Sequence, residues 1–397
     1  MARHQTHFAH VFLLLPITAF IIQLRTPPKP KPLFSSLEML NQSDIDATDD
    51  VTTQDLSSDV QSVVYSYILI PTCLFGILAN LLNLRIYWRL GLSDVINASL
   101  LSLSMSDLCS LLPLVWLSVC AHPEVASADL WFDANKLRYL TGGWPHVLFT
   151  RVTCWNTAFI SLERCLCVTL PLKVKILLPR SRSIVILVVI YIVSAAGVAP
   201  VYFVNRLSWE FDSVKNRTVL TMTHTEDRDV VERVAFTFNN LSAWTSFVIV
   251  IISTLLTVRQ VRKSLTWRRD HVTGGSDQPA TSESSNNRLV KMVLVISVLF
   301  IALMTPMTLN LTVNTFLPDY SITGRHKGLF VDVSCFIFLA ESVNSSVNIF
   351  VYLVMSSRFR QEFCRMFHCR LASRDNDGER SSSSLHNHLT SISSLDQ

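Results

Sequence analysis

Charge, glycine and paired cysteines are all in short supply in this 397-residue chain. Only 16% of its residues are charged against 49% hydrophobic, a balance that sets it apart from soluble domains and points to a membrane protein. Ten glycines and fifteen prolines exclude a collagen-like or low-complexity chain. A formal charge of +4 is too small and too dispersed for a nucleic-acid footprint, so no nucleic-acid partner is expected. The nine cysteines lie mostly in or near apolar blocks, with no metal-ligand spacing and almost none in the polar loops. Neither a metal centre nor a disulfide scaffold is indicated. No nucleophile–base pair and no phosphate-binding loop appears, so an enzyme would lack its machinery.

What the chain does have is apolar blocks long enough to cross a bilayer, about 20 residues each. They lie near 62–88, 95–120, 140–168, 183–204, 234–258, 290–314 and 329–355. In lipid only helices or closed barrels satisfy the backbone, and these runs are too long for barrel strands. The expected fold is therefore an all-α membrane protein, a seven-transmembrane helix bundle over residues 62–356. Residues 1–24 contain a shorter apolar run behind Arg3 and His4, suited to a signal-peptide core or an uncleaved anchor. Residues 25–61 and 371–397 are too polar to bury a core and read as disordered tails; 264–289 reads as a linker-like loop.

Lys and Arg in short loops stay cytosolic. Segment 171–183 carries Lys173, Lys175, Arg180 and Arg182, and 259–269 carries Arg259, Arg262, Lys263, Arg268 and Arg269. Ahead of the first span come Glu38, Asp44, Asp46, Asp49, Asp50, Asp55 and Asp59 with no base among them, and loop 205–232 is acid-rich. The expected placement is the plasma membrane, N-terminus outside and C-terminus inside. Two glycosylation sequons, at Asn41 and Asn216, fall on outer segments. After the seventh span, Phe359, Phe363 and Phe367 recur at i, i+4, i+8 among basic residues. That spacing predicts an amphipathic helix over 357–370 on the inner leaflet. Cys364 and Cys369 beside it are palmitoylation candidates.

Several spans carry polar residues where an anchor would carry Leu or Val. These are Asn80 in the first, Asp107 in the second, Thr153, Glu163 and Arg164 in the third, and Asn344, Ser345, Asn348 and Tyr352 in the seventh, with Pro306 after Phe300 in the sixth. Asp107, Thr153, Asn344, Ser345 and Asn348 offer oxygens converging in mid-membrane, suited to a sodium ion or simply to a structural hydrogen-bond cluster. Pro306 removes a backbone hydrogen bond and bends its helix. Glu163 is placed to hold the Arg164 guanidinium at the cytosolic end of the third span.

In the order and spacing of these residues the chain resembles the rhodopsin-like G protein-coupled receptors, over about residues 62–367. Glu163-Arg164-Cys165 is similar to the D/E-R-Y motif, Asn80 and Asp107 to the polar anchors of the first two helices, and Asn348 and Tyr352 to the ends of N-P-x-x-Y. Pro306 and Phe300 resemble the kink proline and the aromatic of the sixth helix. The resemblance implies a bundle with an outward ligand cavity and an inward site for a heterotrimeric G protein, with receptor kinases and arrestin acting on the Ser-rich tail. Among family members it looks most like peptide-type or chemosensory invertebrate receptors.

The chain also departs from that pattern. The usual outer disulfide lacks both halves, since the position twenty-five before Arg164 is Tyr139 and residues 201–234 contain no cysteine. A disulfide contributes typically ~2–4 kcal/mol, so the outer loop is held otherwise or is looser. The fifth span has no proline, Met304 replaces a tryptophan, Ile349 replaces the proline of the seventh span, and the fourth span has Tyr191 but no tryptophan. A non-signalling seven-helix protein or a transporter stays open on these grounds.

His146 stands where amine receptors carry an aspartate, which argues against a monoamine, and the absence of lysine from the seventh span excludes an opsin. Arg151 and Glu341 are ionisable residues in the outer half of the bundle. They are expected either to pair with each other or with Asn239 and Asn240, or to leave Arg151 facing an acidic ligand. The acid-rich outer segments would attract a basic ligand such as an amidated peptide.

Overall fold

A computed structural model describes residues 61–213, 216–271, 281–317, 319–320 and 324–367. Residues 1–60 and 368–397, with Asn41 and Cys369, lie outside the described residues. Long helices run over α1 (Gln61–Leu90), α2 (Val95–Ala121), α3 (Trp144–Thr169), α4 (Arg180–Val204), α5 (Arg228–His271), α6 (Thr281–Phe316) and α7 (Lys327–Met355). A short α8 (Ser357–Met366) follows. Each helix packs on its sequence neighbour and α7 closes the ring against α1. At about 1.5 Å per residue, the 44 residues of α5 extend well past a hydrocarbon core of about 30 Å.

Six of the seven are apolar enough to cross a membrane by composition and length: all but α3. The exception has a structural reason. α3 packs against α2, α4, α5 and α6, and 18 of its 26 residues are buried, whereas only seven of the 25 in α4 are. A helix shielded by its neighbours can carry His, Arg and Glu that a lipid-facing one cannot. Prolines sit inside α2 (Pro113), α4 (Pro200) and α6 (Pro306).

The loop between α4 and α5 adds a feature outside the helical bundle. It forms an antiparallel hairpin, β1 (Asn205–Asp212) and β2 (Arg217–His224), in register from Asn205↔His224 to Asp212↔Arg217. Leu207, Leu220 and Met222 pack on Leu137, Leu140, Trp144, Val198 and Val201. Backbone bonds Asp133 N→Leu220 O and Leu220 N→Trp131 O, both 2.9 Å, stitch β2 to the segment before α3. Arg217 bonds the Asp129 carboxylate and the Leu130 carbonyl.

The eight cysteines among the described residues are all free, so a polar tether takes the role the missing disulfide would play. Asn205 Nδ2 donates to Glu232 Oε1 at 2.8 Å, Arg228 Nε donates to the same oxygen at 3.1 Å, and the Arg228 guanidinium lies 5.6 Å from the Tyr139 ring centre. Stem, α5 and the start of α3 are thereby held together around Tyr139.

At the opposite end α8 leaves α7 after Ser356, whose Oγ accepts from Phe359 N. Its apolar side faces the bundle, with Phe359 fully buried against Tyr87 and Tyr352 at ring distances of 5.3 and 5.4 Å. Phe363 and Met366 pack on the same cluster, while Phe367 is half exposed.

Candidate functional site

The polar side chains gather in three layers along α3. Nearest the hairpin, His146 bridges α2 and α7: Nδ1 meets the Ser110 carbonyl at 2.9 Å and Nε2 meets Glu341 Oε2 at 2.8 Å, all buried. A carbonyl can only accept, so Nδ1 carries a proton and donates it. One further proton is shared between Nε2 and the carboxylate. Wherever it sits, imidazolium with carboxylate or imidazole with carboxylic acid, the pair is neutral as a unit.

This corrects the expectation for Arg151 and Glu341. They do not pair with each other, and Asn239 and Asn240 bond backbone carbonyls and Thr315 instead. Arg151 is 1% exposed, its Nη2 lies 3.6 Å from Met307 Sδ, and Nε and Nη1 have no hydrogen-bond partner among the described residues. Thioether sulfur is a weak acceptor. An uncompensated charge at such depth costs roughly 2.5–3.5 kcal/mol on insertion scales.

The middle layer centres on Asp107, fully buried. Thr153 and Ser345 hydroxyls donate to Oδ1 at 2.9 and 3.1 Å, and Asn348 Nδ2 donates to Oδ2 at 2.9 Å. Asn80 joins through the Ser345 carbonyl at 2.8 Å. Asn344 is buried, but no hydrogen bond joins it to Asp107, so it stands apart from the expected set. The network continues from Thr153 and Asn156 to Ser106 and from Asn156 to Ser102, whose carbonyl accepts from Tyr191. The ligating atoms on offer are all oxygens, the donor type a hard cation such as sodium takes. Among the described residues no group of His, Cys, Asp and Glu is arranged for a transition metal.

The third layer is at the α8 end. Arg164 Nη2 donates to Glu163 Oε1 at 2.5 Å with both side chains buried. One turn above, Ser161 and Ser297 hydroxyls meet at 2.7 Å and tie α3 to α6. Tyr352 is fully buried and its hydroxyl has no hydrogen-bond partner among the described residues. Between this layer and the one above, Phe300 packs beside Phe247 at 6.4 Å in a cluster with Cys154, Ala158, Met304 and Met307, just below Pro306 inside α6.

Sequence reasoning missed Ser102, Ser106 and Ser110, although their spacing of four lays one stripe along α2 facing α3. It also missed Ser161 and Ser297, which carry no local signal because they lie 136 residues apart. Of the modification candidates, Asn216 is exposed in the hairpin turn with φ +46°, a conformation Asn tolerates, and Cys364 is half-buried on α8.

The family described as 7 transmembrane receptor (rhodopsin family) matches residues 79–352. A QRFP-like peptide receptor of Branchiostoma floridae is 25% identical over 213 residues, 53% of this chain and 54% of that protein. The chain thus spans about half the length of the curated relative it matches. With the match running from α1 through α7, this chain belongs to the rhodopsin family of seven-transmembrane receptors, a family of multi-pass membrane receptors rather than enzymes.

Proposed function

We propose that this receptor sits in the plasma membrane with its hairpin end outside and converts binding of an extracellular peptide into activation of a heterotrimeric G protein. The observation that carries the reading is the closed Glu163–Arg164 pair at the α8 end, on the same helix as the Asp107 network and the His146–Glu341 pair. With α3 shared by all three layers, a ligand that repacks the outer one biases a single two-state element. Release of Arg164 from Glu163 frees a guanidinium to face a G protein, while Pro306 lets the α8-end half of α6 swing away once Ser161–Ser297 parts.

Peptide is the favoured ligand class for two reasons: the relative is called a peptide receptor, and the acids ahead of the first span, with those that follow the hairpin at Glu226, Asp227 and Asp229, suit a basic, extended ligand. Glycosylation at Asn41 and Asn216, palmitoylation at Cys364 and Cys369, and tail phosphorylation with arrestin recruitment belong to the same reading.

The test is G protein dissociation in cells expressing the chain, challenged with amidated and free-acid peptides and small chemosensory molecules. A response lost in Arg164→Ala at equal surface expression is expected. Ion flux that survives Arg164→Ala would mark a transporter and overturn the assignment.

A further inference from the structure

We propose that Arg151 anchors a carboxylate carried by the ligand, so that the part of the ligand reaching deepest is acidic rather than amidated. The inference rests on the receptor reading above and adds the chemistry of the ligand's buried end.

Four observations lead there. Arg151 is almost fully buried, and two of its three guanidinium nitrogens have no hydrogen-bond partner among the described residues. The third meets only the Met307 thioether. The nearer acid is already engaged: Glu341 is bound to His146 in a unit that is neutral overall, so it cannot balance Arg151. The deeper acid, Asp107, turns its oxygens to Thr153, Ser345 and Asn348 and makes no ion pair with Arg151. The surroundings, Cys154, Phe247, Phe300 and Met304, form an apolar cluster that supplies no anion.

A guanidinium keeps its charge at physiological pH and presents a planar fork matched to two carboxylate oxygens. The missing counter-charge therefore has a specific shape. Arg151 lies seven residues into α3, about 10 Å below its hairpin end, a depth that the tip of an extended peptide or a small organic acid can reach. It is closed off in this conformation, so an anion gains access only as the helices loosen around it, which couples occupancy to conformation. The consequence reaches α6 directly, because Met307 is the residue after Pro306. Drawing the guanidinium toward a ligand carboxylate removes its contact with Met307 at the kink.

The test is thermal unfolding of the purified full-length receptor with matched probes. These are a hexapeptide pool with free C-terminal carboxylates, the same pool amidated, hexanoate, and hexanamide. The free acids are expected to raise Tm and the amides not. The acid effect is expected to vanish in Arg151→Met and to weaken by roughly tenfold or more in apparent affinity in Arg151→Lys, which keeps the charge but loses the fork. A shift with the peptide acids alone assigns the carboxylate to a peptide terminus; a shift with hexanoate assigns it to a small acid. Equal effects of acids and amides, no acid effect in the wild type, or an acid effect that survives in Arg151→Met overturns the proposal. If Arg151→Met does not fold, an undiminished acid effect in Arg151→Lys does the same. Signalling is not read in this experiment, so its failure leaves the G protein reading standing, and failure of Arg164→Ala to abolish a response leaves the carboxylate site standing.

Discussion

A Cβ placed on Gly76 would lie 2.2 Å from Ser346 Oγ and 2.7 Å from Leu111 Cδ1. α1 reaches α7 and α2 at that level only because position 76 has no side chain, and the same turn lets Asn80 bond both the Gly76 and Ser345 carbonyls. Gly76→Ala is expected to cost about 1–3 kcal/mol through overpacking, read as a fall in Tm; an unchanged Tm would mean the helices part without penalty. The His146–Glu341 pair gives a second prediction at this scale. Glu341→Leu strands the imidazole nitrogen and should cost about 3–5 kcal/mol, whereas His146→Leu with Glu341→Leu should recover a large part of it. A double-mutant cycle on Tm measures the difference, and strictly additive losses would contradict the pairing. The sequence marked Arg151 and Glu341 as ionisable residues needing partners, and His146 only as standing where amine receptors carry an aspartate, but not which pairs form. That depends on the rotation of α3 against α7, which no local pattern encodes.

The helices were legible as elements because lipid leaves a long apolar run no alternative. α3 reads in the sequence as one more apolar block over 140–168, although by hydropathy it is too polar to count as a span and it relies on burial among its neighbours. Pro113 and Pro200 went unread, and so did the hairpin. Its strand Arg217–His224 carries three Thr and a Val, residues that favour strands, yet the charges around it dominate and read as loop. The polar tether at Tyr139 was likewise hidden, because only the absence of cysteine is visible in sequence. Glu232→Gln or Tyr139→Ala is expected to speed amide hydrogen exchange across β1 and β2 while leaving α2 and α3 protected. Unchanged exchange in the hairpin would show that the apolar contacts of Leu207, Leu220 and Met222 hold it unaided. At the other end, Phe359→Ala removes the ring that docks α8 on Tyr87 and Tyr352, and should free α8 to exchange without lowering the stability of the helices it leaves.

For the whole molecule, the described conformation is the closed one: Glu163 holds Arg164, Ser161 holds Ser297, and Trp244 Nε1 donates to Thr312 at 2.8 Å to bind α5 to α6 nearer the hairpin. On the two-state reading proposed above, the Ser161–Ser297 bond between α3 and α6 at the α8 end weights the equilibrium toward rest. Ser297→Ala is therefore expected to raise basal activity modestly, since a buried hydrogen bond contributes about 0.5–1.5 kcal/mol. The Glu163–Arg164 pair is the larger weight, and it allows a test that needs no ligand. The decisive measurement is basal G protein dissociation in cells expressing wild type, Glu163→Gln, and Glu163→Gln combined with Arg164→Ala at matched surface levels. The two-state account predicts a rise above wild type in Glu163→Gln that disappears in the double variant; basal activity equal in all three would contradict it.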